Sequence, residues 1–124
     1  MANLETFTLE AGADLSGAQY GIVRQSAANV CKIGSLGTDS ALVGVLQNAP
    51  QSGEFATIAD GGISKVIAGA AITQAALITV NSSARAIAAG SGDMVVGRAL
   101  EAAGADGDII TARLRQPVRW AGAI

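Results

Sequence analysis

The sequence predicts an all-β protein, a small closed barrel assembled from two similar halves with at most one short helix. Three observations predict it. Apolar residues come in short runs, broken by Gly, Ser, Asn and Asp. The chain of 124 residues is half apolar, yet carries only four aromatics (Phe7, Tyr20, Phe55 and Trp120) beside 16 glycines. Small side chains and frequent glycine suit tightly turned strands, where Gly supplies positive φ at corners. The third observation is an internal repeat.

Val43-Gly44-Val45-Leu46-Gln47-Asn48-Ala49 runs on to Gly53-Glu54-Phe55-Ala56-Thr57, and Val96-Gly97-Arg98-Ala99-Leu100-Glu101-Ala102 runs on to Gly107-Asp108-Ile109-Ile110-Thr111. The spacing slips by one residue between the Val-Gly pair and the Thr. Upstream, Leu15–Tyr20 parallels Ile72–Leu77, and Ser26–Val30 parallels Ser82–Ala86. Two β-units of this kind each need the other to cover an apolar face. Two copies are too few for a solenoid, so a barrel-like or clip-like module fits.

Taken in order, the strands are expected at Phe7–Leu9, Tyr20–Arg24, Val30–Ile33, Leu42–Gln47, Phe55–Ala59, Ile63–Ile67, Leu77–Val80, Ala86–Ala88, Met94–Leu100 and Ile109–Leu114. Between them lie turn sequences such as Pro50-Gln51-Ser52-Gly53, Asp60-Gly61-Gly62 and Gly90-Ser91-Gly92-Asp93. Ala68–Ala76 is the one stretch dense enough in Ala for a short helix, although Gly69 weakens it. The length fits one domain. The expected organisation is an extended N-terminal arm over 1–14, a β domain over 15–115 with halves at about 15–59 and 72–114, and a tail over 116–124.

Net charge is −2, which gives no overall basicity of the kind nucleic-acid binding requires. The charges are segregated. Glu5, Glu10 and Asp14 precede the first basic residue, Arg24, and beyond Asp108 the charged side chains are Arg113, Arg115 and Arg119. Two readings follow, solvated termini or charge-complementary docking. The start lacks a basic patch followed by an apolar run, so synthesis in a cytoplasm is expected, and no stretch is long enough to suggest a membrane partner.

The catalytic inventory is thin. With no histidine and a single cysteine, Cys31, triad chemistry, thiolate zinc sites and internal disulfides are excluded. No phosphate-cradling glycine loop occurs. Asp106 and Asp108 flank Gly107 and could hold a hard cation, but Asp-Gly-Asp is ordinarily a turn. No catalytic residue, metal ligand or cofactor is expected, and the chain is not expected to be an enzyme. A sparsely filled interior without reactive groups points instead to a protein stabilised by its neighbours.

The residues expected to make those contacts are Asn3, Leu4, Glu5, Thr6, Phe7, Thr8 and Leu9. Thr6 and Thr8 alternate with Phe7 and Leu9, the period of a strand with one apolar face. It is either an ordinary first strand or an arm that adds to a sheet edge of another protein. At the other end, Arg115, Arg119 and Trp120 are residue types enriched at binding hot spots, although the Trp equally suits capping the domain's own core.

Val-Gly-x-x-Leu followed by Gly-acid-apolar-Ala-Thr, continuing into Gly62-Ile63-Ser64-Lys65-Val66, resembles the small capsid cement (decoration) proteins of tailed bacteriophages, similar in kind to the head-stabilising protein of phage lambda. Ile72-Thr73, Leu77-Ile78-Thr79 and Ser83-Ala84-Arg85-Ala86 are similar to the middle of that family. The likeness covers roughly 15–114. Gln74-Ala75-Ala76 stands where the family usually has Ala-Gly-Asp, and Ala84 where it has Gly. The resemblance implies a β-tulip or β-clip-like domain. It implies homotrimers on the outer surface of a phage head, at three-fold and quasi-three-fold sites, with the major capsid protein as partner and the shell stabilised by bridging capsomers. The alternatives are another virion accessory protein, of the tail or baseplate, or a trimeric β-clip nucleotide hydrolase.

Overall fold

The computed structural model describes residues 4–120, and over that span the chain is strands and turns without a helix. The strands are β1 (Glu5–Ala11), β2 (Ile22–Ala27), β3 (Val30–Ile33), β4 (Leu42–Leu46), β5 (Phe55–Ile67), β6 (Leu77–Val80), β7 (Ala86–Ala88), β8 (Met94–Ala99) and β9 (Ile109–Arg119).

Five of them close into a barrel. The order β1-β3-β2-β4-β5 is completed by a return pairing of β5 with β1, so this ring keeps few of the open edges that invite uncontrolled pairing. β5 then leaves one ring for another. Up to Gly61 it pairs with β1, and from Gly62 onward with β9. Gly62 sits at φ +85°, a conformation that costs glycine little and lets the strand bend from one sheet into the next. The turn expected at Asp60-Gly61-Gly62 is therefore a bend within one 13-residue strand, and ten expected strands become nine. A second ring follows in the order β5-β9-β8-β6-β7, joined up by a parallel bridge between Ala68 and Ala86. That bridge and another between Ile72 and Ala103 pin the Ala-rich 68–76 stretch, which otherwise runs through bends and a turn, where its composition allowed a short helix.

The duplication is written into the backbone. β3-β2-β4-β5 and β7-β6-β8-β9 have the same strand order with the same antiparallel pairings. Four described non-glycine residues adopt positive φ, and they form two matched pairs: Tyr20 (66°) with Ala75 (72°), and Asn29 (59°) with Ala84 (65°). Hydrogen bonds repeat as well. Gln47 N donates to Thr57 O at 2.8 Å, and Leu100 N to Thr111 O at 2.9 Å. Leu15 N donates to Pro50 O, and Ile72 N to Ala103 O. These matches keep Leu15 opposite Ile72 but correct the sequence alignment further on. Tyr20 corresponds to Ala75 rather than Leu77, and Asn29 to Ala84 rather than Arg85.

The N-terminal segment also needs correction. Glu5–Ala11 is not an arm lying outside the body. It pairs with β5 from Glu5 to Glu10 and meets β3 at Glu10 and Ala11. Its counterpart is the second half of β5: Thr8 opposite Thr57 corresponds to Lys65 opposite Thr111, and the parallel pair Ala11–Cys31 corresponds to Ala68–Ala86. The repeat thus begins at β1, not near Leu15. The reason is closure, because without β1 one edge of β5 would be left with unpaired backbone groups.

Two cores result. Ala11, Leu15, Val23, Cys31, Leu46, Ala56 and Ile58 fill the first ring, with Phe7, Leu9 and Val43 packed against them. The larger core lies in the second ring, around Val66, Ile78, Val80, Val96, Ile110 and Leu114, and it takes in Ile22, Leu42, Val45 and Ala59 from the first copy. The outer side of the first copy's β2–β4–β5 sheet is therefore buried against the second copy.

Candidate functional site

The chemistry present is that of surfaces. Among the described residues no group of three or more Asp, Glu, Cys or His side chains gathers in reach of one metal ion. Asp106 Oδ1 accepts a hydrogen bond from Arg85 Nη1 at 2.7 Å, and Asp108 Oδ2 accepts from Gly104 N and Ala105 N. Both carboxylates are thus engaged, Asp106 by Arg85 just before β7 and Asp108 by the backbone of the turn before β9. Cys31 is fully buried, and burial pushes its thiol pKa up, away from the thiolate that nucleophilic or metal chemistry needs.

The first candidate surface is β1. Asn3 lies outside the described residues. Leu4 packs against the larger core, and Phe7 and Leu9 are half-buried against the smaller one, while Glu5, Thr6 and Thr8 are exposed. Backbone direction matters more than side chains here. Ala11 N donates to Glu54 O, on the β5 side, and Glu10 N donates to Asn29 O, on the β3 side. In an antiparallel strand these directions alternate with period two. Thr8 and Thr6 therefore present their N–H and C=O groups away from β5. β3 reaches β1 only at Glu10 and Ala11, so among the described residues that edge of β1 is unpaired from Leu9 back to Glu5.

The second is the end of β9. Arg119 Nη1 donates to Gly92 O at 2.7 Å and Nη2 to Thr38 O at 3.1 Å, while Trp120 exchanges backbone hydrogen bonds with Gly92 and Asp93. These two residues tie the strand end to the 34–41 and 90–93 loops. Arg115 is set apart from them. It lines a cavity of about 210 Å³ with Leu77, Gly97, Arg98, Arg113 and Leu114. The sequence reading missed Arg98 and Arg113. The signal lay in the repeat itself, where Arg98 stands in the place of Val45.

Comparison with known proteins agrees with this picture. The chain is similar in structure to the N base of the head fiber gp8.5 in bacteriophage phi29, with a TM-score of 0.68 and 19% sequence identity over 94% of this chain and 98% of that one. At that identity the likeness speaks to the fold, the small all-β barrel predicted from sequence. No curated protein matches the chain. The phage cement protein family matches residues 6–116, nearly the whole described chain, and this protein belongs to that family.

Proposed function

We propose that the chain is a capsid decoration protein that binds the outer surface of a phage head, as a trimer at three-fold and quasi-three-fold sites, and stabilises the shell by bridging capsomers. Membership of a structural family of the phage head supports the role. The observation that carries the mode of attachment is the edge of β1 between Glu5 and Leu9, which is unpaired among the described residues. A strand of the major capsid protein added there would be gripped through the Thr6 and Thr8 backbone groups. Each hydrogen bond contributes about 0.5–1.5 kcal/mol net, which is weak for one chain. Repeated over a symmetric oligomer on a lattice, such contacts become long-lived through multivalency.

Thr6→Pro and Thr8→Pro test this reading. Each removes a donor from the free edge and leaves the bonds to β5 in place. Head particles incubated with either variant, pelleted and imaged, should lose the decoration that the unaltered chain gives. Full decoration by both variants would remove β1 from the attachment.

A further inference from the structure

Arg98 and Arg113 stand directly opposite each other on β8 and β9. Directly opposed like charges destabilise a sheet, and Arg115 adds a third guanidinium two residues along the same face. Among the described residues the ion pairs are Arg24–Asp39 and Arg85–Asp106, so none of these three arginines is paired with a carboxylate. The face they form already has a known relative inside the molecule. Leu77 opposite Arg98 opposite Arg113 corresponds, strand for strand, to Ile22 opposite Val45 opposite Ala59. In the first copy all three members are 0% exposed, buried against the second copy. In the second copy the same position is open and holds the 210 Å³ cavity, floored by Gly97 and Leu114 and rimmed by the arginines.

The chain also carries a complementary feature. Phe55, at the start of β5, is 72% exposed. It pairs across the sheet with exposed Glu10 and follows exposed Glu54 in sequence. Glu10 thus flanks Phe55 across the sheet, and the Glu54 carboxylate lies in the turn just before it, where its Oε1 accepts a hydrogen bond from Gln51 N at 2.7 Å. Phe55 cannot reach its own chain's cavity, since it opens β5 while Arg113 pairs at Ile63, beyond the bend at Gly61 and Gly62.

We propose that the Arg98–Arg113–Arg115 face binds a second copy of this chain, with Phe55 of one molecule seated in the cavity of the next and Glu10 and Glu54 meeting the arginine rim. Apolar burial anchors the contact, the guanidinium groups stack on the ring, and carboxylates neutralise charges that otherwise repel. The contact joins unlike surfaces, so its repetition builds a closed ring when the rotation closes. It deepens the oligomer invoked under the proposed function and rests on that reading for its biological setting.

Sedimentation velocity on the full chain provides the test. Phe55→Ser, a change at an exposed position, should weaken self-association at least tenfold with the thermal melt retained. R98E/R113E and E10K/E54K should each be monomeric alone. An equimolar mixture of the two should associate again in alternating order, starting with the heterodimer, because the reversed surface of one meets the reversed surface of the other. An odd-numbered ring cannot close from this mixture without one like-charged contact. Should the arginine variant fail to fold, Phe55→Ser and E10K/E54K decide the matter. An unaltered chain that stays monomeric, or a Phe55→Ser chain that associates like the unaltered one, overturns the proposal. Head binding measured in parallel keeps the two claims separate. Loss of self-association through Phe55→Ser upholds this contact even if Thr8→Pro still decorates heads, and that latter result counts only against the β1 edge.

Discussion

Gly44 and Gly97 hold the same place in the two copies of the fold, and each lies against a partner-strand carbonyl that leaves no room for a side chain. A Cβ on Gly44 would collide with the carbonyl oxygen of Ala59, and one on Gly97 with that of Arg113. These are matched residues of matched strands. Each glycine sits beside a register shift, between Val23 and Arg24 in the first copy and between Val95 and Gly97 in the second. Gly44→Ala or Gly97→Ala should each cost about 1–3 kcal/mol, the usual range for overpacking against a backbone that cannot yield. The midpoint of urea unfolding would register this, and a change below about 0.5 kcal/mol at both sites would show that the strands can move apart.

Ala75 is exposed and held at φ +72°. A non-glycine residue in this region carries about 1–2 kcal/mol of strain, part of which the flexibility of a glycine in the unfolded chain would offset. Ala75→Gly should therefore stabilise the protein by about 0.5–1 kcal/mol, a rise in Tm of roughly 2–4 °C for a chain of this size. Differential scanning calorimetry would detect it, and a fall in Tm would contradict the strain.

Asp39 accepts a hydrogen bond from Arg24 Nε, which holds its carboxyl below the usual range. Burial opposes this, and a bond from Ala41 N assists. With the folded pKa depressed, the stability this group contributes is fully present above its unfolded pKa of about 3.9 and is lost as pH falls through the lower folded value. The stability difference between the unaltered chain and Asp39→Asn should hold constant from pH 7 to about pH 5, then shrink toward zero in stronger acid. Urea midpoints across that range would measure it, and a difference that grows on acidification would reverse the sign.

Leu9→Pro should behave unlike Thr8→Pro. Leu9 N points toward β5, so its loss strands an acceptor inside the ladder at about 1–3 kcal/mol, whereas Thr8 N faces the free edge. Equal destabilisation by the two prolines in chemical unfolding would mean that the edge is not free.

Cys31 should resist a thiol reagent at pH 8 in the folded protein, because the side chain is fully buried and its pKa raised. Labelling should then occur only as fast as the barrel opens. Labelling at the rate of a free thiol without denaturant would contradict that burial.

Much of this architecture was legible in the amino-acid order, because strands announce themselves locally. Short apolar runs between turn residues placed strands at 30–33, 42–47, 77–80 and 86–88 within a residue or so of the observed β3, β4, β6 and β7. The repeat was visible because Val-Gly and Gly-acid-apolar-apolar-Thr sit where a close strand approach and a turn demand them. The role of β1 was not legible. Its alternation of Thr6 and Thr8 with Phe7 and Leu9 describes a strand equally well in a free arm or in a barrel wall, and only the pairing with β5 decides between them. The bend at Gly61 and Gly62 was likewise hidden, since the same glycines serve a turn or a strand that changes sheets. Arg98, Arg113 and Arg115 read as scattered surface charge along the chain. They became one face only when β8 and β9 paired in register, for local composition determines which segments are strands while distant pairing determines which side chains meet.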